Sequence, residues 1–130
     1  ALVSVVNIYI IQDLDTAIAI AKRAEAIAKK IKMKDGLGGC YGIYGYIMAE
    51  KGDPKGAIKY HLLSMDINKE IGNEKGIGAD LINIAGCYYI MGDMAKALEY
   101  DYKALAITEK MKDYETMYTV LNNITIAFLD

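Results

Sequence analysis

The sequence is poor in the residues on which enzyme sites usually depend. It contains one histidine, His61, one proline, Pro54, and no tryptophan. A single histidine excludes a metal site built from several histidines. No nucleophile stands beside a base in a recognisable pattern, and no glycine-rich phosphate-binding motif follows a predicted strand. We therefore expect no catalytic residue, no metal and no cofactor, and we interpret the chain as a protein that is not an enzyme.

Cysteine is also scarce. Cys40 and Cys87 lie far apart, each within a helical pattern. Two scattered cysteines do not form a disulfide framework. We therefore expect two buried, unpaired thiols and a cytoplasmic location.

An excess of positive charge and a long apolar run are both missing. The formal net charge is −2, whereas nucleic-acid binding depends on a positive field that displaces counterions. A membrane span needs roughly 18 or more consecutive apolar residues. The apolar run at residues 1–11 is shorter and is interrupted by Ser4 and Asn7. We expect neither a nucleic-acid partner nor a membrane segment.

What the sequence does contain is an internal repeat of 40 residues. The pair Gly52-Asp53 recurs as Gly92-Asp93. Apolar residues make up 54% of the chain, which is enough to build a packed core. Because residues 40 positions apart agree along the whole chain, the sequence predicts that the same structural unit is stacked several times. The matching positions include Ala17, Ala57 and Ala97; Ile27, Ile67 and Ile107; and Ile31, Ile71 and Met111.

Each period is predicted to form two helices, A and B. A short side-chain acceptor before a helix satisfies a free backbone N–H, so Asp13, Asp53 and Asp93 are expected to be N-caps of the B helices. The apolar residues that follow them recur at spacings of three, four and seven, which gives one apolar face. The B helices are predicted to end near Met33, Gly72 and Met111.

The A helices are predicted at 37–51, 76–91 and 115–130. Residues 1–11 fit a strand by composition alone, but the phase of the repeat favours the remnant of another A helix. The sequence therefore predicts seven helices, in which A and B helices alternate. The chain starts without methionine and ends inside an apolar run, so we expect a fragment of a longer array.

The A helices resemble the tetratricopeptide repeat. Its spacing of large, small and aromatic residues appears in Leu81-x-x-Ile84-Ala85-x-x-Tyr88. The segment from Gly92 to Tyr100 is similar to a 40-residue variety found in bacterial signalling proteins. The period of 40 instead of 34, and the lack of a proline after the B helices, depart from the basic pattern. The resemblance implies an all-α, right-handed solenoid of about three and a half hairpins, with repeats at roughly 1–33, 36–72, 76–112 and a partial 115–130.

The resemblance also implies a scaffold that binds a protein or a peptide. In this family the A helices line a concave surface. That surface would be apolar and aromatic here, and it lacks the basic residues with which some members hold a terminal carboxylate. The predicted groove residues are Tyr9, Tyr46, Glu50, Ile82, Asn83, Tyr89, Ile90, Asn122, Asn123 and Ile126.

Several of these residues have two interpretations. Asn83 and Asn123 can hydrogen-bond a peptide backbone, or they can bond a neighbouring helix end. Tyr46 and Tyr89 can contact a ligand or pack between repeats. The glycines at 39, 42 and 45 form a flat strip that suits either close helix packing or the approach of a ligand backbone.

Two further expectations concern the surface. His61 and Asp101 occupy the same repeat phase, which suggests a solvated helix face. Terminal helices without a polar cap favour self-association, so an assembly module is the alternative function.

Overall fold

The structure, a computed structural model, describes residues 13–129 and contains six α-helices in that range. No strand occurs among these residues. The predicted helical solenoid is confirmed, while the predicted first helix at 1–11, with Tyr9, lies outside the described residues. None of the six helices is both long and apolar enough to cross a membrane. The helices are α1 (Leu14–Lys30), α2 (Lys34–Glu50), α3 (Pro54–Glu70), α4 (Glu74–Ile90), α5 (Met94–Met111) and α6 (Tyr114–Leu129).

A helix begins every 20 residues because every turn is built in the same way. In each of the five turns that join the described helices, the residue before the N-cap adopts a left-handed conformation, as Gly52 does with φ of 81°. The next amide then reaches back five residues, so that Asp53 N donates to Met48 O at 2.9 Å. Glycine adopts this conformation without a steric cost, whereas Lys32 and Lys112 adopt it despite a side chain.

The predicted N-caps are confirmed. The carboxylate of Asp53 accepts from Gly56 N at 2.9 Å, and that of Asp93 accepts from Lys96 N at 3.1 Å. Asp13 caps α1 in the same manner. Two further caps, Asn73 and Asp113, begin A-type helices and were not predicted.

Helix α2 begins three residues earlier than the predicted start at 37. Met33 N donates to Ala28 O at 2.8 Å, which completes the turn by residue 33. The helix therefore starts at Lys34, although Met33 offers no side-chain cap. Gly36, which precedes the predicted start of this helix, lies inside it.

Each helix packs against its neighbours in sequence, and α2 also contacts α4. The three repeated alanines Ala17, Ala57 and Ala97 are fully buried, which lets the backbones of paired helices approach closely. Larger apolar side chains fill the core between the layers. Tyr44 is buried, and Tyr60 and Tyr88 pack against the core.

Both cysteines are buried and unpaired, as predicted. Burial raises the pKa of the Cys40 thiol and of the Cys87 thiol. A raised pKa reduces the thiolate fraction, and thus the reactivity, of both side chains.

Candidate binding groove

A groove of about 480 Å³ lies between α2 and α4, with α3 beneath it. Its walls are rich in small residues on the α2 side, and its rim carries the exposed ring of Tyr46. Two carboxylates line the groove, and its described lining includes no lysine, arginine or histidine. The lining residues are Asp35, Gly38, Gly39, Gly42, Ile43, Tyr46, Ser64, Asn68, Asn73, Gly76, Ala79, Asp80 and Asn83.

Beneath the groove lies a buried polar group of four side chains, which we call the floor cluster: His61, Ser64, Asn68 and Asp80. Ser64 Oγ donates to Asp80 Oδ2 at 2.9 Å, and Asn68 Nδ2 donates to the same oxygen at 2.8 Å. The amide of Asn73 continues the network by donating to Asn68 Oδ1 at 3.2 Å. Buried polar groups are stable only when they are hydrogen-bonded, so these partners hold the carboxylate in place.

The second carboxylate oxygen of the floor cluster has a different environment. Asp80 Oδ1 lies 3.6 Å from His61 Nδ1, which is too far for a hydrogen bond. His61 Nδ1 is buried and has no hydrogen-bond partner. One side of the floor cluster is thus fully paired, and the other side is not.

The predicted solvated face at His61 and Asp101 is wrong. Both residues are buried, with 2% and 0% of their surface exposed. Helix α3 turns His61 towards Gly45 of α2, where an added Cβ would lie 2.6 Å from His61 Nε2. The missing side chain of Gly45 therefore makes the space that the imidazole occupies.

The glycine strip contains one closely packed position and two positions with open space. Gly45 provides close packing against His61. A Cβ at Gly39 would meet nothing within 4 Å, and one at Gly42 would meet only Ser64 Oγ, at 3.7 Å. These two glycines face the groove and leave its floor open to a ligand.

An adjoining pocket of about 290 Å³ continues the groove along α4 towards α6. Tyr46 and Asn83 line both cavities, and His61 contributes to the adjoining pocket. Of the predicted groove residues, the structure brings five together around this pocket. They are Tyr46, Ile82, Asn83, Ile90 and Asn123.

The other described groove predictions lie elsewhere. Glu50, Asn122 and Ile126 are exposed but line neither cavity. Tyr89 is turned towards α5, where its hydroxyl donates to Asp101 Oδ2 at 2.8 Å. Burial, together with this carboxylate, raises the pKa of Tyr89, and burial also raises the pKa of Asp101. Tyr89 therefore packs between helices in this structure.

Sequence reasoning missed Ser64, Asn68 and Asp80, although a signal was present. At the phase of Asp80 the other repeats carry an apolar residue, Cys40 or Val120. A polar side chain at a position that is apolar in the other repeats was therefore the signal that a buried polar group lies here. Ser64 is not arranged as a nucleophile, since its hydroxyl donates to a carboxylate instead of to a histidine.

Comparison with known proteins supports the fold. No family model matches the chain. A stretch of 59 residues is 36% identical to response regulator aspartate phosphatase A of Bacillus subtilis (strain 168); it covers 45% of this chain and 16% of that protein. The crystal structure of BtubC from P. vanneervenii gives a TM-score of 0.80 at 19% identity, over 91% of this chain and 49% of that one.

A second solved structure covers a similar unit. The TPR domain of Arabidopsis FLU gives a TM-score of 0.76 at 24% identity, over 84% of this chain and 92% of that domain. Both structural neighbours share the stacked helical hairpins seen here. The chain is a helical repeat protein of the tetratricopeptide-like type.

Proposed function

We propose that this chain is a scaffold that holds a protein or peptide segment in the groove between α2 and α4. Folds of this type generally serve as scaffolds for protein interaction and are typically not catalytic. The observation that carries the proposal is the groove itself. It is walled by A-type helices, about 480 Å³ in volume, and continuous with the adjoining pocket through Tyr46 and Asn83.

The chemistry of the rim suits an extended segment. The Tyr46 ring is 44% exposed and offers a large contact area with little loss of side-chain entropy. The exposed amide of Asn83 can both donate to and accept from a peptide backbone. Gly39 and Gly42 allow that backbone to approach α2 closely.

A peptide array tests this proposal. Peptides that bind the wild-type chain should lose binding when Tyr46→Ala or Asn83→Ala is introduced, because each change removes a contact from the rim. Tyr102→Ala is the matched control, since Tyr102 is similarly exposed, at 50%, but lies on α5 outside the groove. Equal binding by Tyr46→Ala, Asn83→Ala and wild type would refute the proposal.

We place the scaffold in the cytoplasm and in a bacterial signalling pathway. Two buried free thiols are in keeping with a reducing compartment. The likeness to response regulator aspartate phosphatase A supports the signalling setting. The partner would then be a protein or peptide of that pathway.

A second candidate function is self-association through α6. Leu121 is 43% exposed, whereas Leu81, its equivalent in α4, is 4% exposed beneath the following helix. Phe128 is 69% exposed on the same helix. Among the described residues no helix covers this face, and a second copy of α6 is the occupant that we propose.

Light scattering over a concentration series tests the second candidate. The average mass should rise with concentration and should fall back to that of a monomer in the variant Leu121→Glu. Tyr102→Glu places the same charge on a surface outside α6 and should leave the association unchanged. A constant monomer mass in the wild type would rule out self-association.

A further inference from the structure

We propose that the floor cluster binds a primary ammonium group carried by the segment in the groove. This inference rests on the proposed function and specifies the chemistry of the partner. The ammonium comes from a lysine side chain or from a free amino terminus, because both present the same three N–H donors.

Charge complementarity is the first argument. The groove is lined by the carboxylates of Asp35 and Asp80, and its described lining carries no lysine, arginine or histidine. Asp80 is only 4% exposed. A buried carboxylate is costly unless it is paired, and its hydrogen-bonding partners Ser64 and Asn68 are neutral. A cation from a ligand would compensate the negative charge of Asp80, which these neutral partners do not balance.

An unsatisfied nitrogen atom lies beside the carboxylate of Asp80. His61 is 2% exposed, and its Nδ1 has no hydrogen-bond partner although it lies 3.6 Å from Asp80 Oδ1. An imidazole whose proton is on Nε2 presents a lone pair at Nδ1. Two acceptors then face one another with no donor between them. An ammonium that donates to Asp80 Oδ1 from the groove would place a donor and a positive charge beside this unpaired side of the cluster.

The geometry favours an ammonium over a guanidinium. Arginine gains most from a carboxylate when it bonds both oxygens side by side. Asp80 Oδ2 already accepts from Ser64 Oγ and Asn68 Nδ2, so only Oδ1 remains for a ligand. A lysine ammonium is a compact donor on a flexible stem and suits a single oxygen.

The approach to the floor cluster is open on the α2 side. Gly39 and Gly42 place no side chain over Ser64 and Asp80. The exposed Tyr46 ring stands at the rim, where it can attract a passing cation through its face. The stem of a lysine can therefore pass over the glycines while its ammonium reaches Asp80 Oδ1.

The test is an NMR titration of the chain with short defined peptides. The first is the pentapeptide Gly-Ala-Lys-Ala-Gly, acetylated and amidated at its ends. The second and third carry Arg or Met in place of Lys. The fourth is the Met peptide with a free amino terminus. The amide signals of Gly39 and Gly42 report occupancy of the groove.

We expect saturable shifts with the Lys peptide, with the free-amine peptide or with both, and the comparison of these two identifies the source of the ammonium. The capped Met peptide should give no shifts. The Arg peptide should bind about tenfold more weakly than the Lys peptide. A single free carboxylate oxygen, Asp80 Oδ1, cannot accept the two parallel hydrogen bonds that a guanidinium donates.

Asp80→Asn should weaken ammonium binding about tenfold, because it removes a charge-assisted hydrogen bond and keeps the shape of the side chain. Asp35→Asn is the matched control, since Asp35 is an exposed carboxylate of the same groove. It should change binding less than about twofold. Gly39→Leu supplies an independent variant that does not touch the floor cluster: it should fold normally and block the peptide.

Binding of the capped Met peptide as tight as that of both amine-bearing peptides, unchanged binding in Asp80→Asn, or no saturable shift with any peptide would overturn the ammonium site. The groove proposal fails separately. If array peptides require Tyr46 and Asn83 but neither an amine nor Asp80, the groove stands and the ammonium site falls.

Discussion

The contact between α1 and α2 and the contact between α3 and α4 occupy equivalent places in successive repeats, yet their chemistry is opposite. In both, four equivalent positions are buried between the helices. The first contact carries Ala21, Ala24, Ala28 and Cys40, and the second carries His61, Ser64, Asn68 and Asp80.

The difference shows that polarity is not required for stacking. Alanine and cysteine at these positions are enough to join one pair of helices. A buried hydrogen-bonded network is often no more stabilising than an apolar replacement, and it becomes costly when one member is lost. Stability alone therefore does not explain the floor cluster, and its position beneath the groove is in keeping with the proposed ammonium site.

The largest predicted effect comes from breaking the network at its centre. Asp80→Ala removes the acceptor that Ser64 and Asn68 share, so the buried Ser64 hydroxyl loses its acceptor and Asn68 Nδ2 keeps only a long hydrogen bond of 3.4 Å to Ser64 Oγ. We expect a loss of about 3 kcal/mol in the free energy of unfolding. Urea denaturation, followed by circular dichroism, measures it.

A more specific experiment replaces polar residues of the contact between α3 and α4 by the apolar residue types of the contact between α1 and α2. The triple variant Ser64→Ala, Asn68→Ala, Asp80→Cys removes donors and acceptor together. Most of the stability lost in Asp80→Ala should return, because no buried donor of the pair is left unpaired. A triple variant less stable than Asp80→Ala would show that stacking here depends on the polar groups.

The next effect concerns the space that His61 occupies. Gly45→Ala places a Cβ 2.6 Å from His61 Nε2. Overpacking of this kind should cost about 2 kcal/mol, measured by urea denaturation. The equivalent residue in α4 is Ala85, which is tolerated where the residue equivalent to His61 is the shorter Asp101.

Gly86→Ala is the control for this change. It lies in α4, and its added Cβ would meet nothing within 4 Å. It should not destabilise the chain. If Gly45→Ala were as harmless as Gly86→Ala, the close fit of His61 against α2 would be refuted.

A smaller effect is predicted at Asp101, where a buried carboxylate has one unpaired oxygen. Burial raises its pKa above the ordinary value of 3.8, so the folded state binds the proton more tightly than the unfolded state. Stability should therefore decrease as the pH rises through the folded pKa. Asp101→Asn should raise the free energy of unfolding by about 1 kcal/mol at neutral pH, while the Tyr89 hydroxyl can still donate to the amide oxygen.

The pH dependence provides the check on Asp101. The stability difference between Asp101→Asn and wild type should be larger at pH 7 than at an acidic pH below the raised pKa of the native carboxyl. Thermal denaturation at both pH values measures the difference. An advantage of the same size at both would mean that the buried charge is not its cause.

The smallest effect is expected at the open part of the groove. Gly39→Ala adds a methyl that meets nothing within 4 Å, in a helix interior where alanine is favoured over glycine. The variant should be more stable by about 0.8 kcal/mol. A loss of stability in urea denaturation would show that Gly39 is packed and that the groove is not open there.

The order of the helices was predictable because the repeat contains recognisable turn residues. Gly52-Asp53 and Gly92-Asp93 supply a left-handed residue followed by a cap, and together they define the phase of every helix. The start of α2 was less predictable, because its turn at Lys32 and Met33 lacks both signals. There the backbone forms the same turn without a glycine and without a side-chain cap.

The candidate binding groove was predictable only in outline. Tyr46 and Asn83 follow from the phase of the A helices, since exposure on one helix face is a periodic property. The floor cluster depends on how side chains from α3 and α4 meet. Burial of His61 depends further on the missing Cβ at Gly45, which is a contact between residues 16 positions apart. Periodicity predicts faces, but it does not predict which polar groups pair across them.

The most direct test measures peptide binding in the triple variant Ser64→Ala, Asn68→Ala, Asp80→Cys by the same NMR titration. We predict a folded chain that stacks its helices normally and binds the ammonium-bearing pentapeptide recognised by the wild type at least about tenfold more weakly than the wild type does. Undiminished binding in that folded variant would contradict it.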